Sequence, residues 1–485
     1  MSPRDAAAIF HFDNSYAQLP ERFYQRIDPT AVAAPKLVRV NEALAQELGL
    51  DPAALASTEG VAILAGNAVA PTSIPIAMAY AGHQFGNFVP QLGDGRAILL
   101  GEIAGRDLHL KGAGLTRFSR RGDGRAALGP VLREYIISEA MAALGIPTTR
   151  TLAAVATGEQ VFRETPLPGA VLARVAASHI RVGTFEYFAA RRDAEGIRTL
   201  ADYAIARHYP HCRGAANPYR AFFDAVIGAQ ADLIAKWLLV GFIHGVMNTD
   251  NMTISGETID FGPCAFMDFY NPKQVYSSID RMGRYAYANQ PSIAHWNLVC
   301  LAETLVPVLA ETEEEGIREA EEAMAAFGPR FEAAYLAGLT RKAGLGSEEE
   351  DVALVQGLLG LMAENAADFT LTFRGLTDAA ADPAKEAAVR ELFKTPESLD
   401  PWLKAWRSRL KPGAADAMRA VNPAFIPRNH MVEGALTAAT AFSDFAPFER
   451  LLEVITRPFE DQPGRELYAL PPRPEQVVHQ TFCGT

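Results

Sequence analysis

Asn251 and Asp260 flank the short segment MTISGETI and offer an amide oxygen and a carboxylate at its two ends. Hard oxygens of this kind hold Mg²⁺ or Mn²⁺, and a metal so held serves the transfer of a phosphoryl or nucleotidyl group. Such a transfer asks little covalent chemistry of a protein. It needs cations and N–H donors on the phosphates, the metal, and a carboxylate for the attacking hydroxyl. Lys111 closes the run DLHLK, and the stretch after it offers Glu134, with Glu139 as the alternative, to pair with that lysine. QLGDGR and RRGDGR add glycines whose backbone N–H groups can approach phosphate oxygens, the first beside Arg96. Taken alone, each also reads as a simple Asp-Gly turn.

The elements that must position these groups follow from periodicity. RAILLGEI and DLHLKGAG alternate around AGRD and predict a β-hairpin. GPVLREYIISEAMAALGIP predicts a helix, with Pro near its start, apolar residues three and four apart, and Gly then Pro at its end. TRTLAAVAT and GAVLARVA predict two more strands. Upstream, PKLVRVNEALAQELGLD has helical spacing, whereas APTSIPIAMAYAGHQFGNFVPQLG reads as loop and turn. Beyond Ser178 the chain turns helical. PYRAFFDAVIGAQADLIAKWLLVGFIHGV predicts a long helix delivering the chain to the metal segment, where MTI and TID are expected to pair across SGE as a small hairpin. From about Glu303 a series of amphipathic helices follows.

His244, Asn251 and Asp260-Phe261-Gly262 are spaced as in the active-site segment of kinases, H-x-D-x-x-x-x-N then D-F-G, but Val246 occupies the aspartate slot. With the β-β-α-β-β order this implies an α+β, protein-kinase-like, two-lobed fold: a small β-rich lobe, a helical large lobe and a C-terminal helical extension. The expected division is 1–90 as an N-terminal segment on the core, 91–178 as the small lobe, 179–302 as the large lobe and 303–485 as the extension.

FDNSYAQLPERFY, YAGHQFGNFVPQLGDGRAILLGE, LHLKGAGLTRFSRRGDGRA, LREYIISEA, LARVAASHIRVGTFE, HGVMNTDNMTISGETIDFGP, GRYAYANQP and VNPAFIPRNH together resemble the selenoprotein O, or YdiU, family of protein adenylyltransferases. The resemblance covers nearly the whole chain. It implies ATP bound in an inverted orientation and AMP, with UMP from UTP and Mn²⁺ as a further possibility, moved to Ser, Thr or Tyr hydroxyls of protein substrates. With the nucleotide reversed, residue 246 need not be an aspartate. The resemblance assigns Asp250 as proton acceptor and Asn251 and Asp260 as metal ligands. It places Gly93, Gly95, Arg96, Lys111, Asp123, Gly124, Arg174 and Arg181 on ATP, with Glu134 holding Lys111. A kinase-type phosphotransferase and a catalytically silent nucleotide-binding protein are the alternatives.

Composition narrows the partners. A formal charge of −12 over 485 residues argues against a nucleic-acid or anionic-membrane surface. The N-terminus lacks the charged-then-apolar pattern of a secretory signal, and LIAKWLLVGFIHGVM is too short to span a bilayer, so a cytoplasmic monomer is expected. Cys212, Cys264, Cys300 and Cys483 form no C-x-x-C pair. Cys483 matches the place where relatives in the resembled family carry selenocysteine or cysteine, without a second cysteine near it in sequence.

Overall fold

A computed structural model describes residues 9–482, so Cys483 lies outside the described residues. The fold is mixed α+β around one main antiparallel sheet. Its strands are β1 (Tyr24–Arg26), β2 (Lys36–Val40), β3 (Ile76–Met78), β6 (Ala97–Ile103), β7 (Arg106–Lys111), β8 (Ala126–Ala127), β9 (Arg150–Phe162) and β10 (Pro166–Ala176). They run in the order β1-β3-β6-β7-β10-β9-β2, with β8 against β10. The expected β6–β7 hairpin is present; Ala104 and Gly105 turn it with positive φ, the geometry that matches strand twist.

Strand alternation gives this sheet one apolar and one partly polar face. Leu108 and Leu110 of β7 and Val171, Ala173 and Val175 of β10 point into a core shared with Phe10, Phe12, Leu44 and Leu55 of the N-terminal region. The intervening Asp107, His109, Lys111 and Arg174 therefore lie on the opposite side. That face is covered by α1 (Leu128–Ala143), which is buried along most of its length.

Two expectations need correction here: PKLVRVNEALAQELGLD, with its helical spacing, is split into β2 (Lys36–Val40), which β9 pairs into the sheet, and a short helix over Glu42–Glu47 that Asn41 caps. The stretch 70–93, read as loop, contains β3, inserted between β1 and β6, and a separate hairpin of β4 (Gly82–Gln84) and β5 (Asn87–Val89). Three-residue strands amid Pro and Gly leave no periodic trace, and β3 pairs with residues far away in sequence.

The larger helical part begins with α2 (Val182–Ala189) and α3 (Ala194–His208), followed by α4 (Pro218–Leu239) and α5 (Gln290–Leu309). α4 stops short of the expected end. Gly241, with φ of 72°, breaks it, and β11 (Phe242–Ile243) pairs with β12 (Ala265–Phe266). The expected MTI–TID hairpin does not form a ladder: Thr253 bridges Arg181, and Thr258 bridges Thr148. The Thr253 hydroxyl satisfies the intervening turn by donating to the Glu257 carbonyl and accepting from the Glu257 amide, which frees the backbone on both sides for other partners. Further helices follow to the end, among them α6 (Phe369–Ala381), α7 (Asn429–Phe442) and α8 (Ala446–Ile455). The last two return to α1, with Phe448 edge-on to Tyr135 and Glu433 paired with Arg133. The stretch Tyr287–Leu309, which contains α5, is apolar and long enough to cross a membrane, but 61% of its most apolar window is buried inside the protein.

Candidate active site

Asp260 is the centre on which the charged residues converge. Lys111 at the end of β7 reaches it at 3.1 Å and Arg174 of β10 at 2.6 Å, and Arg181, just before α2, pairs with its other oxygen. Glu134 of α1 holds the same cations, 2.6 Å from Lys111 Nζ and 3.2 Å from Arg174. The open choice between Glu134 and Glu139 is thereby decided in this structure, since Glu139 accepts from Arg150 and the Thr151 amide instead. Burial opposes the charge on Asp260, but Arg181, Lys111 and Arg174 outweigh it and hold the carboxyl well below the usual range. The residue also sits at φ of 59°, a left-handed conformation that costs a non-glycine residue free energy and is common at functional sites.

The loop 244–251 brings Asp250 and Asn251 to the same place. His244 is buried, stacks on Trp237, donates through Nε2 to the Ile259 carbonyl and accepts the Val246 amide at Nδ1. Val246 is buried too, and its carbonyl accepts from Asn251 Nδ2 at 3.0 Å. That bond takes up the amide nitrogen and leaves Asn251 Oδ1 for a cation. The residue in the aspartate slot thus orients the neighbouring ligand through its backbone. Arg181 Nη1 donates to both the Asp250 carbonyl at 2.5 Å and the Asp260 carboxylate, clamping the two acidic residues side by side.

Asp250 is nine-tenths buried, and its Oδ1 has no hydrogen-bond partner among the described residues. Burial pushes its carboxyl up to about 6, against the pull of Arg181 and a hydrogen bond from Gln84. A buried, unsatisfied acceptor is costly unless something else donates to it. An incoming hydroxyl would.

Several contacts were not legible beforehand. The β4–β5 hairpin lies over the loop: Gln84 Nε2 is 3.3 Å from Asp250 Oδ2, the His83 amide donates to Thr249 Oγ1, and the Phe85 amide to Asn248 Oδ1. Gly82 is needed there, because a Cβ would lie 2.6 Å from Asp250 Oδ1. Behind Arg174, His109 Nδ1 accepts from the guanidinium at 3.1 Å, so the ring donates through Nε2 to Asp94. Asp94 is the aspartate of QLGDGR, and its side chain serves this buried chain and the Met78 amide. The alternation of DLHLK placed His109 on the face of Lys111 and was the available signal.

Other expected site residues are not drawn into the Asp260 cluster by any contact among the described residues. Asp123 pairs with Arg163 at 2.7 Å and accepts the Arg125 amide. Gly93 and Gly95 let the backbone pass close to Phe118, and Gly124 lets it pass Gly114. Arg96 accepts the Gly112 and Ala113 amides through its carbonyl, and its guanidinium has no partner among the described residues. It is available to an anion.

The donor set fits a hard divalent cation: a free amide oxygen on Asn251 and the Asp260 carboxylate, both oxygens, with the unpaired Asp250 oxygen left beside them. The three cations already on Asp260 are also those that phosphate oxygens would attract.

The comparisons agree with this constellation. Residues 7–456 match the family model described as protein adenylyltransferase SelO. The chain is 62% identical to the protein nucleotidyltransferase YdiU of Methylorubrum extorquens (strain PA1), over 99% of this chain and all of that one. It is 62% identical to the protein of the same name from Bradyrhizobium sp. (strain BTAi1), over 98% and 99%, and 61% identical to that from Rhizobium etli, over 99% and 98%. Matches of this identity over the full length, around a charged cluster assembled from the residues that carried the resemblance, leave one conclusion: the chain belongs to the SelO family of protein adenylyltransferases.

Proposed function

We propose that the protein transfers AMP from ATP to Ser, Thr or Tyr hydroxyls of protein substrates, with UTP and Mn²⁺ as a second donor system, on a kinase-like two-lobed scaffold divided as the sequence analysis sets out. The observation that carries the reading is the clamp at Arg181, which ties the metal-type carboxylate of Asp260 to the backbone carbonyl of Asp250, whose own buried carboxylate keeps an unpaired oxygen. One acid is fully charged and surrounded by cations; the other is close to neutral pH and open to a proton. That split suits a metal ligand beside a general base.

In this reading Lys111, Arg174 and Arg181 turn from Asp260 toward the phosphates when ATP binds, and Glu134 keeps Lys111 and Arg174 in place. Arg96, Asp123 and the glycines at 93, 95 and 124 line the rest of the nucleotide. Asn251 and Asp260 would hold Mg²⁺ or Mn²⁺, which would supply positive charge for the phosphate oxygens. The acceptor oxygen attacks the α-phosphorus, the bond to the β-phosphate oxygen breaks, pyrophosphate leaves, and Asp250 Oδ1 takes the hydroxyl proton. Val246 fits this arrangement, because the base lies four residues further on. A cytoplasmic location accords with the packing of the long apolar stretch inside the core, and a monomer is proposed with it.

ATP labelled on the α- or the γ-phosphate tests the reaction. Label from the α-position is expected on protein, with loss on chelation of divalent metal. Label from the γ-position alone would favour the phosphotransferase, and thermal stabilisation by ATP without either label would favour a silent binder.

A further inference from the structure

Beside the loop that carries Asp250, but outside the cluster on Asp260, three potential ligand atoms from three separate elements converge. His83 Nδ1 from β4, a carboxylate oxygen of Glu186 from α2 and Cys300 Sγ from α5 all lie within 4.8 Å of one another. Glu186 and Cys300 are buried, whereas the His83 side chain is 24% exposed. The cluster therefore has a solvent-facing entrance at the imidazole. Nothing in the proposed transfer uses it.

We propose that His83, Glu186 and Cys300 form a zinc site. An imidazole nitrogen, a carboxylate oxygen and a thiolate are the three ligand types zinc takes together, and three protein ligands leave the fourth tetrahedral position for water at the exposed side. Charge supports this choice. A thiolate and a carboxylate balance Zn²⁺, whereas the buried pair alone is poorly compensated: burial, with Glu186 and Glu303 nearby, pushes the Cys300 thiol up to about 12. His83 Nδ1 stands 2.5 Å from Glu186 Oε1, a hydrogen bond. Zinc takes the place of the proton shared there, which passes to His83 Nε2 as the ring changes tautomer, the Cys300 thiol proton is released to solvent, and the His83 and Glu186 side chains separate to coordination distance.

Glu186 also accepts from the Thr249 hydroxyl through its other oxygen, and the His83 amide donates to Thr249 Oγ1. This outer hydrogen bond ties the site to the residue before Asp250, as carboxylates that ligate metals are commonly tied. The inference stands whether or not the transfer reaction is as proposed.

The test uses the full chain in a Cys483→Ser background, dialysed against chelator and then titrated with Zn²⁺ in the presence of excess Mg²⁺, with Co²⁺ as the spectroscopic probe. One equivalent of Zn²⁺ is expected to bind with release of the thiol proton, and Co²⁺ to give a thiolate charge-transfer band with tetrahedral ligand-field absorption. Cys300→Ser is expected to lose the band and at least about tenfold in zinc affinity, and His83→Ala to lose affinity to a similar degree. Circular dichroism and thermal unfolding without zinc confirm that each variant is folded; if Cys300→Ser is not, Cys300→Ala takes its place. Absence of saturable zinc binding in the parent, or a band undiminished in the folded Cys300 variant, overturns the proposal.

Discussion

Asp250 and Asp260, held side by side by one arginine through a backbone carbonyl and a carboxylate, illustrate how two acidic residues acquire different roles. Three cations keep Asp260 ionised, and burial lifts Asp250 to about 6. Their variants should fail differently. Asp260→Ala is expected to lose metal-dependent nucleotide binding together with turnover, whereas Asp250→Ala keeps most nucleotide affinity and loses turnover by roughly 10²- to 10⁴-fold. Calorimetry with Mg²⁺ and a non-hydrolysable ATP analogue separates the two, and equal loss of binding would refute the division. His109 poses a second question at this scale, because its neutral ring bridges Arg174 and Asp94 without touching Asp260. Burial and the neighbouring arginines keep it from charging, against the pull of Asp94. His109→Phe retains the ring and removes both hydrogen bonds, so a loss of about 1–3 kcal/mol is expected in denaturant unfolding. Nucleotide affinity should fall too as Arg174 loses its backing, and His109→Gln should recover part of it.

The β4–β5 hairpin is the element that sequence periodicity hid and the site depends on. Its amides and Gln84 hold Asn248, Thr249 and Asp250, so it acts as a roof that fixes the base. Gly82→Ala places a methyl group against the Asp250 carboxylate. We expect turnover to drop by up to about 10²-fold, the scale of a displacement of about 1 Å at a reacting group, with the thermal midpoint changed little. Steady-state kinetics and calorimetry on the same sample check this; unchanged turnover would show that the roof does not set the position of Asp250. The strands behaved differently. Alternation in DLHLK and GAVLARVA specified which side chains face α1, because a strand has a two-residue period whatever its neighbours are. The segment between Asn251 and Asp260 has a turn that was legible, but its strand-like backbone bonds go to Arg181 and Thr148.

Across the whole molecule, the C-terminal third closes on the parts that carry the site. Arg428 in VNPAFIPRNH is buried between Asp268 and Asp368, and Asn429 donates to the Phe266 carbonyl a few residues beyond Asp260. In the same region Lys342 is buried against the rings of Phe373 and Phe369, at 4.5 and 5.7 Å. Burial brings its ammonium down to about 7 from an ordinary 10.5. The unfolded chain therefore holds the extra proton between those values, and stability rises as pH climbs from about 7 toward 10.5; below pH 7 the penalty is complete. Lys342→Met should be the more stable protein at neutral pH and below, by on the order of a few kcal/mol less what the two rings return. That advantage should shrink toward pH 10 in urea melts run across the range.

By itself the sequence determined the β6–β7 hairpin, α1, β9, β10 and the faces of β7 and β10, because periodicity is a local property, and it nominated Lys111, Arg174, Arg181 and Asp260 as site residues through the resemblance. It also carried the family, through long runs of matching residues. Only the tertiary structure decided that Glu134 rather than Glu139 meets Lys111, that Gln84 and Gly82 bear on Asp250, that Asp94 serves His109, and that His83, Glu186 and Cys300 meet. Each of these joins elements distant in the chain, and which side chains meet across such distances depends on packing, which no local pattern encodes.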